Sequence, residues 1–174
     1  QDKLDLRGRS RRTNVGAICV HPTADNADAV ERLAKRRPVV VLGGNLPGKA
    51  VSCVDCDNEQ GAREAIRHLV TLGHRRFLVI SGPTELSNSR DRTEAAVAEL
   101  SAQGIRLGDR NLLVSQDSVI LDEGAKARIE KRLREADAPT AIFAGGYYLA
   151  MAAMHAVRGA NLTIPGDVSV IGFD

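Results

Sequence analysis

A chain of 174 residues with 43% hydrophobic content is long enough to bury a sizeable core, as one domain or as two small lobes. Its 24 basic and 22 acidic residues leave a formal net charge of +2, too weak a field to argue for phosphate-backbone binding. The 3% aromatic content, with no tryptophan, leaves little material for stacking bases.

In chain order, the four arginines between Arg7 and Arg12 read as a solvated helix end or frayed terminus rather than a DNA-contacting arm. Residues 1–13 lack the apolar segment of a secretory signal, and the longest apolar runs, such as 38–42, fall far short of the roughly 20 residues that cross a bilayer. A strand is expected at 15–21, a helix at 27–35, and a strand at 38–43, where Pro38 is tolerated as the opening residue. The glycines and proline of 43–49 make a turn-rich connection into a strand at 51–55. Ala62, Ala65, Ile66, Leu69 and Val70 then fall at helical spacing, with Gly73 placed to cap the helix. Strands follow at 77–81, 112–115, 141–144 and 168–173, separated by helices at 90–103, 121–136 and 149–158. The strands are apolar nearly throughout, as parallel strands covered on both faces should be. Strand–helix alternation of this kind predicts an α/β fold with parallel doubly wound sheets, with ligands held at the carboxyl ends of the strands.

Reactive motifs are missing from this pattern. There is no G-x-S-x-G elbow, phosphate-binding loop or G-x-G-x-x-G fingerprint, and the four histidines show no metal spacing, so no enzyme chemistry, cofactor or metal is expected. Cys53 and Cys56 form a C-x-x-C string, but residues three apart on a strand point to opposite faces, so both are expected to be buried structural residues, as is Cys19. Three cysteines are too sparse for a secreted disulfide framework, and a reducing cytoplasm is the expected setting. His74 reads as a structural hydrogen-bonding residue.

Residues 57–82, DNEQGAREAIRHLVTLGHRRFLVISG, resemble the signature of the LacI family of bacterial transcription regulators. PTAIFA at 139–144 and IPGDVSVIGFD at 164–174 resemble two further family segments in the right order. A fourth likeness is Arg92, which opens a helix after the SGP turn, as the family's effector-contacting arginine does. The resemblance implies a periplasmic-binding-protein-like core of two parallel lobes, residues 1–74 forming an incomplete N-terminal lobe and 75–174 an incomplete C-terminal lobe. On that comparison the chain is truncated, lacking the DNA-binding headpiece, the first strands and the closing segments.

Candidate site residues follow from the same comparison. Arg92 offers forked donors to ligand hydroxyls or a carboxylate, against the alternative of a surface arginine paired to Asp91 or Glu94. Asp174 closes the last strand as a ligand-facing carboxylate or, equally, a helix N-cap. Relatives carry Asn-Asp where this chain has Gly146 and Tyr147, so a two-oxygen acceptor becomes a phenol with one hydroxyl and a flat apolar face, which argues against a familiar sugar. Asn88 and Gln60 stand where relatives place polar ligand contacts, although loop and helix-start positions are commonly solvated or capping. The resemblance implies a small-molecule effector, sugar-like or another metabolite, operator DNA bound through an absent headpiece, and a homodimer, with ligand-induced lobe movement as the mechanism. The alternative is a periplasmic solute receptor of the same two-lobe fold.

Overall fold

The structure, a computed structural model, describes residues 16–115 and 121–173. Their strands form two separate parallel sheets, and contacts divide the chain into two units: residues 1–56 with 86–88, and residues 57–85 with 89–174.

In the first unit, β1 (Ala17–Val20), α1 (Ala27–Ala34), β2 (Val39–Leu42) and β3 (Ser52–Val54) give a sheet of order β1-β2-β3. Period-2 alternation sends Val39 and Val41 to one face, where they pack with Val30 of α1 and Leu46. The opposite face differs from the sequence expectation of cover on both sides: Ile18 (71% exposed), Val20, Val40, Leu42 and Val54 all stand open among the described residues. The cysteine expectation also needs correction. Cys53 and Cys56 are exposed and Cys19 is half-buried, because β3 is an edge strand with all three residues exposed and Cys56 lies beyond its end.

The second unit is built from α2 (Asn58–Thr71), β4 (Phe77–Ser81), α3 (Ser87–Ala102), β5 (Leu112–Val114), α4 (Glu123–Leu133), β6 (Ala141–Ala144), α5 (Tyr147–Gly159) and β7 (Ser169–Gly172). The first residues of α3 group with the other unit. The sheet order is β5-β4-β6-β7, all parallel, and β4 and β6 are buried along their whole length. One face packs on α2 and α3 through Ile66, Leu69, Phe77, Leu100 and Phe143. The other packs on α4 and α5 through Leu78, Ile80, Ile129, Leu149 and Val157. The sequence division near His74 assigns α2 to the first lobe, but the apolar stripe of α2 buries Ala62, Ile66 and Leu69 against the second sheet, so contacts draw the division at Asp57 instead.

Helix ends follow side-chain chemistry. The Asp57 carboxylate accepts from the Gln60 N–H at 2.9 Å to start α2, and Asp122 accepts from the Ala125 N–H at 2.6 Å to start α4. Gly73 takes φ +92° after α2, a left-handed conformation that glycine reaches without a Cβ clash. Helix α3 begins at Ser87, three residues before the sequence expectation, and Ser87 Oγ accepts from the Asn45 N–H at 2.8 Å.

His74 ties strand starts together: its Nδ1 lies 3.0 Å from Thr140 Oγ1 and its Nε2 3.0 Å from Ser169 Oγ. Burial pushes its imidazole below the ordinary value of 6.5. Glu99, buried between α2 and α3, takes two 2.9 Å bonds from Arg67 and one from Gln103, which hold its carboxyl below the ordinary 4.5. Both groups bind fewer protons when folded than when unfolded, so each stabilises above its unfolded pKa and loses that contribution as pH falls. The thermal midpoint should therefore decline in two stages, the first beginning below 6.5 and the second below 4.5. His74→Gln should flatten the first stage in a melt series run at graded pH. A wild-type midpoint unchanged between about pH 7 and 5 would contradict the assignment to His74.

Candidate functional site

A four-stranded order in which the chain leaves β4 for β5 on one side and returns to β6 on the other places a switch point between β4 and β6. Ligand sites on open parallel sheets form outside the strand carboxyl ends at such points. Arg92 occupies this end of the second unit. Its Nε donates to Asn58 Oδ1 at 2.6 Å and its Nη1 to the Gly145 carbonyl, just past β6, at 3.0 Å. The guanidinium lies 4.0 Å from the centroid of the Phe173 ring, just past β7. Helix, strand end and aromatic shelf together fix a planar cation, with its stacking energy added to its hydrogen bonds. Asp91, one of the partners considered from sequence, is instead bonded to Arg90 at 3.3 Å.

Tyr147 opens α5 two residues after Gly145. It is 54% exposed and meets Tyr148 edge to face, with ring centroids 5.3 Å apart. Its ring is therefore presented to solvent and does not serve as helix-start packing. Arg92, Gly145 and Tyr147 are thus assembled on one end of the second sheet. Gln60, on the first turn of α2, is exposed, and its amide donates to Glu64 at 2.8 Å. Asn88 is buried and belongs to the first unit, where its Nδ2 donates to the Gly43 carbonyl at 3.2 Å. Asp174 lies outside the described residues.

Three residues escape the sequence reading, two in the second unit and one in the first. Asn58 and Phe173 orient Arg92; both lie inside the motif segments, but nothing in their spacing marks them as partners of a residue more than 30 positions away. His21 is the third. It follows β1 in a left-handed conformation, φ +47°, and its Nδ1 lies 2.6 Å from the Gly43 carbonyl. Because that carbonyl only accepts, Nδ1 carries the proton of this contact. Gly43, at φ +72°, makes room for the ring: a Cβ there would lie 2.3 Å from His21 Cε1.

Comparison with known proteins agrees with this architecture. Residues 66–174 match the periplasmic binding protein-like domain family. Among curated proteins, the HTH-type transcriptional regulator AglR of Rhizobium meliloti is 32% identical over 163 residues, covering 92% of this chain and 45% of that protein. Among solved structures, a regulatory protein of the LacI family from Chloroflexus aggregans superposes with TM-score 0.79 at 25% identity, over 92% of this chain and 57% of that one. A transcriptional regulator CelR–cellobiose complex does so with TM-score 0.77 at 27% identity, over 92% and 49%. The chain thus spans about half the length of the relatives it matches. It belongs to the periplasmic binding protein-like domain family, and over this length it is similar to LacI-type transcription regulators.

Proposed function

We propose that the chain is the small-molecule effector-binding and dimerising core of a LacI-type transcription regulator, which acts in the cytoplasm by ligand-induced lobe movement and reaches operator DNA through a separate headpiece. The arrangement that supports this reading is the Arg92 guanidinium, pinned by Asn58, Gly145 and Phe173 at the carboxyl end of the second sheet. A guanidinium preorganised in this way is a planar fork suited to ligand hydroxyls or a carboxylate. Gln60, Asp174 and Asn88 are further candidate polar ligand contacts in this reading. Exposed Tyr148 and Met151 on α5 supply apolar surface suited to a second copy. The family's lobe division, 1–74 and 75–174, stays part of the proposal alongside the contact-based division.

Tyr147 narrows the effector class. A phenol supplies one hydroxyl and a flat face where a carboxylate would grip two adjacent hydroxyls, which favours a ligand with an apolar face and few hydroxyls. Because Tyr147 is solvated, Tyr147→Asp should cost little stability. It should improve affinity for polyhydroxylated ligands relative to flat ones by about tenfold, measured by titration calorimetry. No change in that ratio would remove Tyr147 from ligand selection.

A thermal-shift screen of the chain against mono- and disaccharides, nucleosides and aromatic metabolites tests the reading: a ligand at a hundred times its Kd should stabilise by about 2.7 kcal/mol. The receptor alternative is separated by the roughly 60 residues upstream in the gene, the room a small DNA-binding domain needs. A helix-turn-helix there supports the regulator, and a secretory signal overturns it.

A further inference from the structure

The formal charge of +2 is unevenly spread, and the first unit concentrates positive charge at the end of α1. Four of the six residues from 32 to 37 are cationic: Arg32 in the last turn, Lys35 at the cap, and Arg36 and Arg37 in the turn before β2. All four are exposed. Their backbone is held in place, since the Lys35 N–H donates to the Glu31 carbonyl at 3.1 Å and the Arg36 and Arg37 N–H groups both donate to the Leu33 carbonyl, at 3.0 and 3.1 Å.

Neighbouring carboxylates do not neutralise this end. Lys49 takes Asp28 at 2.6 Å and Glu31 at 3.5 Å, and none of Arg32, Lys35, Arg36 and Arg37 has a carboxylate within ion-pair distance among the described residues. Arg32, one turn after Asp28, interacts with that carboxylate at longer range. The helix dipole accounts for Arg32 and Lys35, because a cation at the last turn complements the partial negative charge there and needs no partner. Arg36 and Arg37 follow the cap and stand beside two further cations, an arrangement whose mutual repulsion an anion relieves.

The place of the patch in the fold bears on the kind of anion. The Ala17 N–H donates to the Pro38 carbonyl at 2.9 Å, so the chain enters β1 beside the residue that follows Arg37. In the regulator reading the headpiece lies upstream, so it is tethered at this amino end of the first sheet and would bring a duplex toward these cations. We propose that the end of α1, with Lys35, Arg36 and Arg37 as its main donors, is a contact surface for the phosphate backbone of duplex DNA. Such cations give phosphate oxygens charge-assisted hydrogen bonds, and each phosphate they neutralise releases condensed counterions. The patch therefore adds affinity and orientation, and leaves sequence to base contacts made elsewhere. The choice of DNA as the polyanion rests on the regulator reading; nothing in it depends on the effector site at Arg92.

The test follows binding of the chain to a fluorescein-labelled duplex of arbitrary sequence by fluorescence anisotropy over a series of potassium chloride concentrations. The logarithm of affinity should fall linearly with the logarithm of salt, alike for duplexes of different sequence. Arg36→Glu/Arg37→Glu should weaken binding about tenfold or more and reduce the magnitude of the slope by about two, since each lost phosphate contact removes about 0.9. Arg36→Gln/Arg37→Gln, which introduces no acid at the helix end, should show the same loss of slope. Arg128→Glu/Lys131→Glu makes the same change of net charge on exposed α4 residues of the second unit and should leave the slope unchanged. No duplex binding at low salt, an unchanged slope in both Arg36/Arg37 variants, an equal loss in the α4 control, or displacement by polyglutamate as readily as by unlabelled duplex at matched charge would each overturn the proposal. None of these outcomes bears on ligand stabilisation through Arg92, and an upstream secretory signal would remove the regulator reading without altering the salt slopes, so the two readings fail separately.

Discussion

Phe143→Ala is expected to lower the stability of the second unit by about 3–5 kcal/mol, a large share of the 5–15 kcal/mol that holds a typical domain folded. Phe143 is fully buried on β6, an inner strand flanked by β4 and β7, and packs with Ile66, Leu69, Phe77 and Leu100 from α2, β4 and α3. Truncation removes the ring's transfer energy and leaves a void that three separate elements cannot close together. Urea unfolding followed by circular dichroism should show a lower midpoint at unchanged slope. Leu72→Ala, at the exposed end of α2, is the matched control and should shift the midpoint by no more than about 0.5 kcal/mol. A loss below about 1 kcal/mol for Phe143→Ala would mean that this face of the sheet is not packed as described.

Arg92→Ala is expected to abolish stabilisation by the effector, because it removes the forked donor around which Asn58, Gly145 and Phe173 are arranged. Arg92→Lys should fail nearly as completely: an ammonium has no planar fork to share between the Gly145 carbonyl and a ligand, and it does not stack flat on Phe173. The ligand-free alanine variant should itself lose about 1–3 kcal/mol, since two hydrogen bonds and a cation–π contact disappear. The diagnostic quantity is therefore the ligand-dependent rise in melting temperature, compared within each variant. An undiminished rise in Arg92→Ala would remove the residue from the site.

The fold was largely legible from hydrophobic patterning. Every expected strand from 77 onward and every expected helix is present within a few residues, because continuous Val-, Ile- and Leu-rich runs and 3.6-residue stripes report burial directly. The misreadings share a cause. A run such as 38–43 signals that both strand faces are apolar, but not whether a neighbour covers each face, so the open side carrying Ile18 and Val40 was invisible. The same blindness led Cys53 and Cys56 to be read as core when β3 is an exposed edge. At the site, Arg92 was legible through resemblance. Its supports were not, since the pairing of Arg92 with Asn58 and Phe173 exists only once α2, α3 and β7 are brought together.

Gly61 constrains how this molecule could drift. A methyl group at that position would sit 2.5 Å from Cε2 of Phe173, so even alanine would displace the ring on which the Arg92 guanidinium rests. Diversification of ligand preference by stepwise substitution is consequently blocked at Gly61, where the smallest possible change already displaces the cation's support. It stays open at the solvated start of α5, where side chains can be exchanged without touching that support.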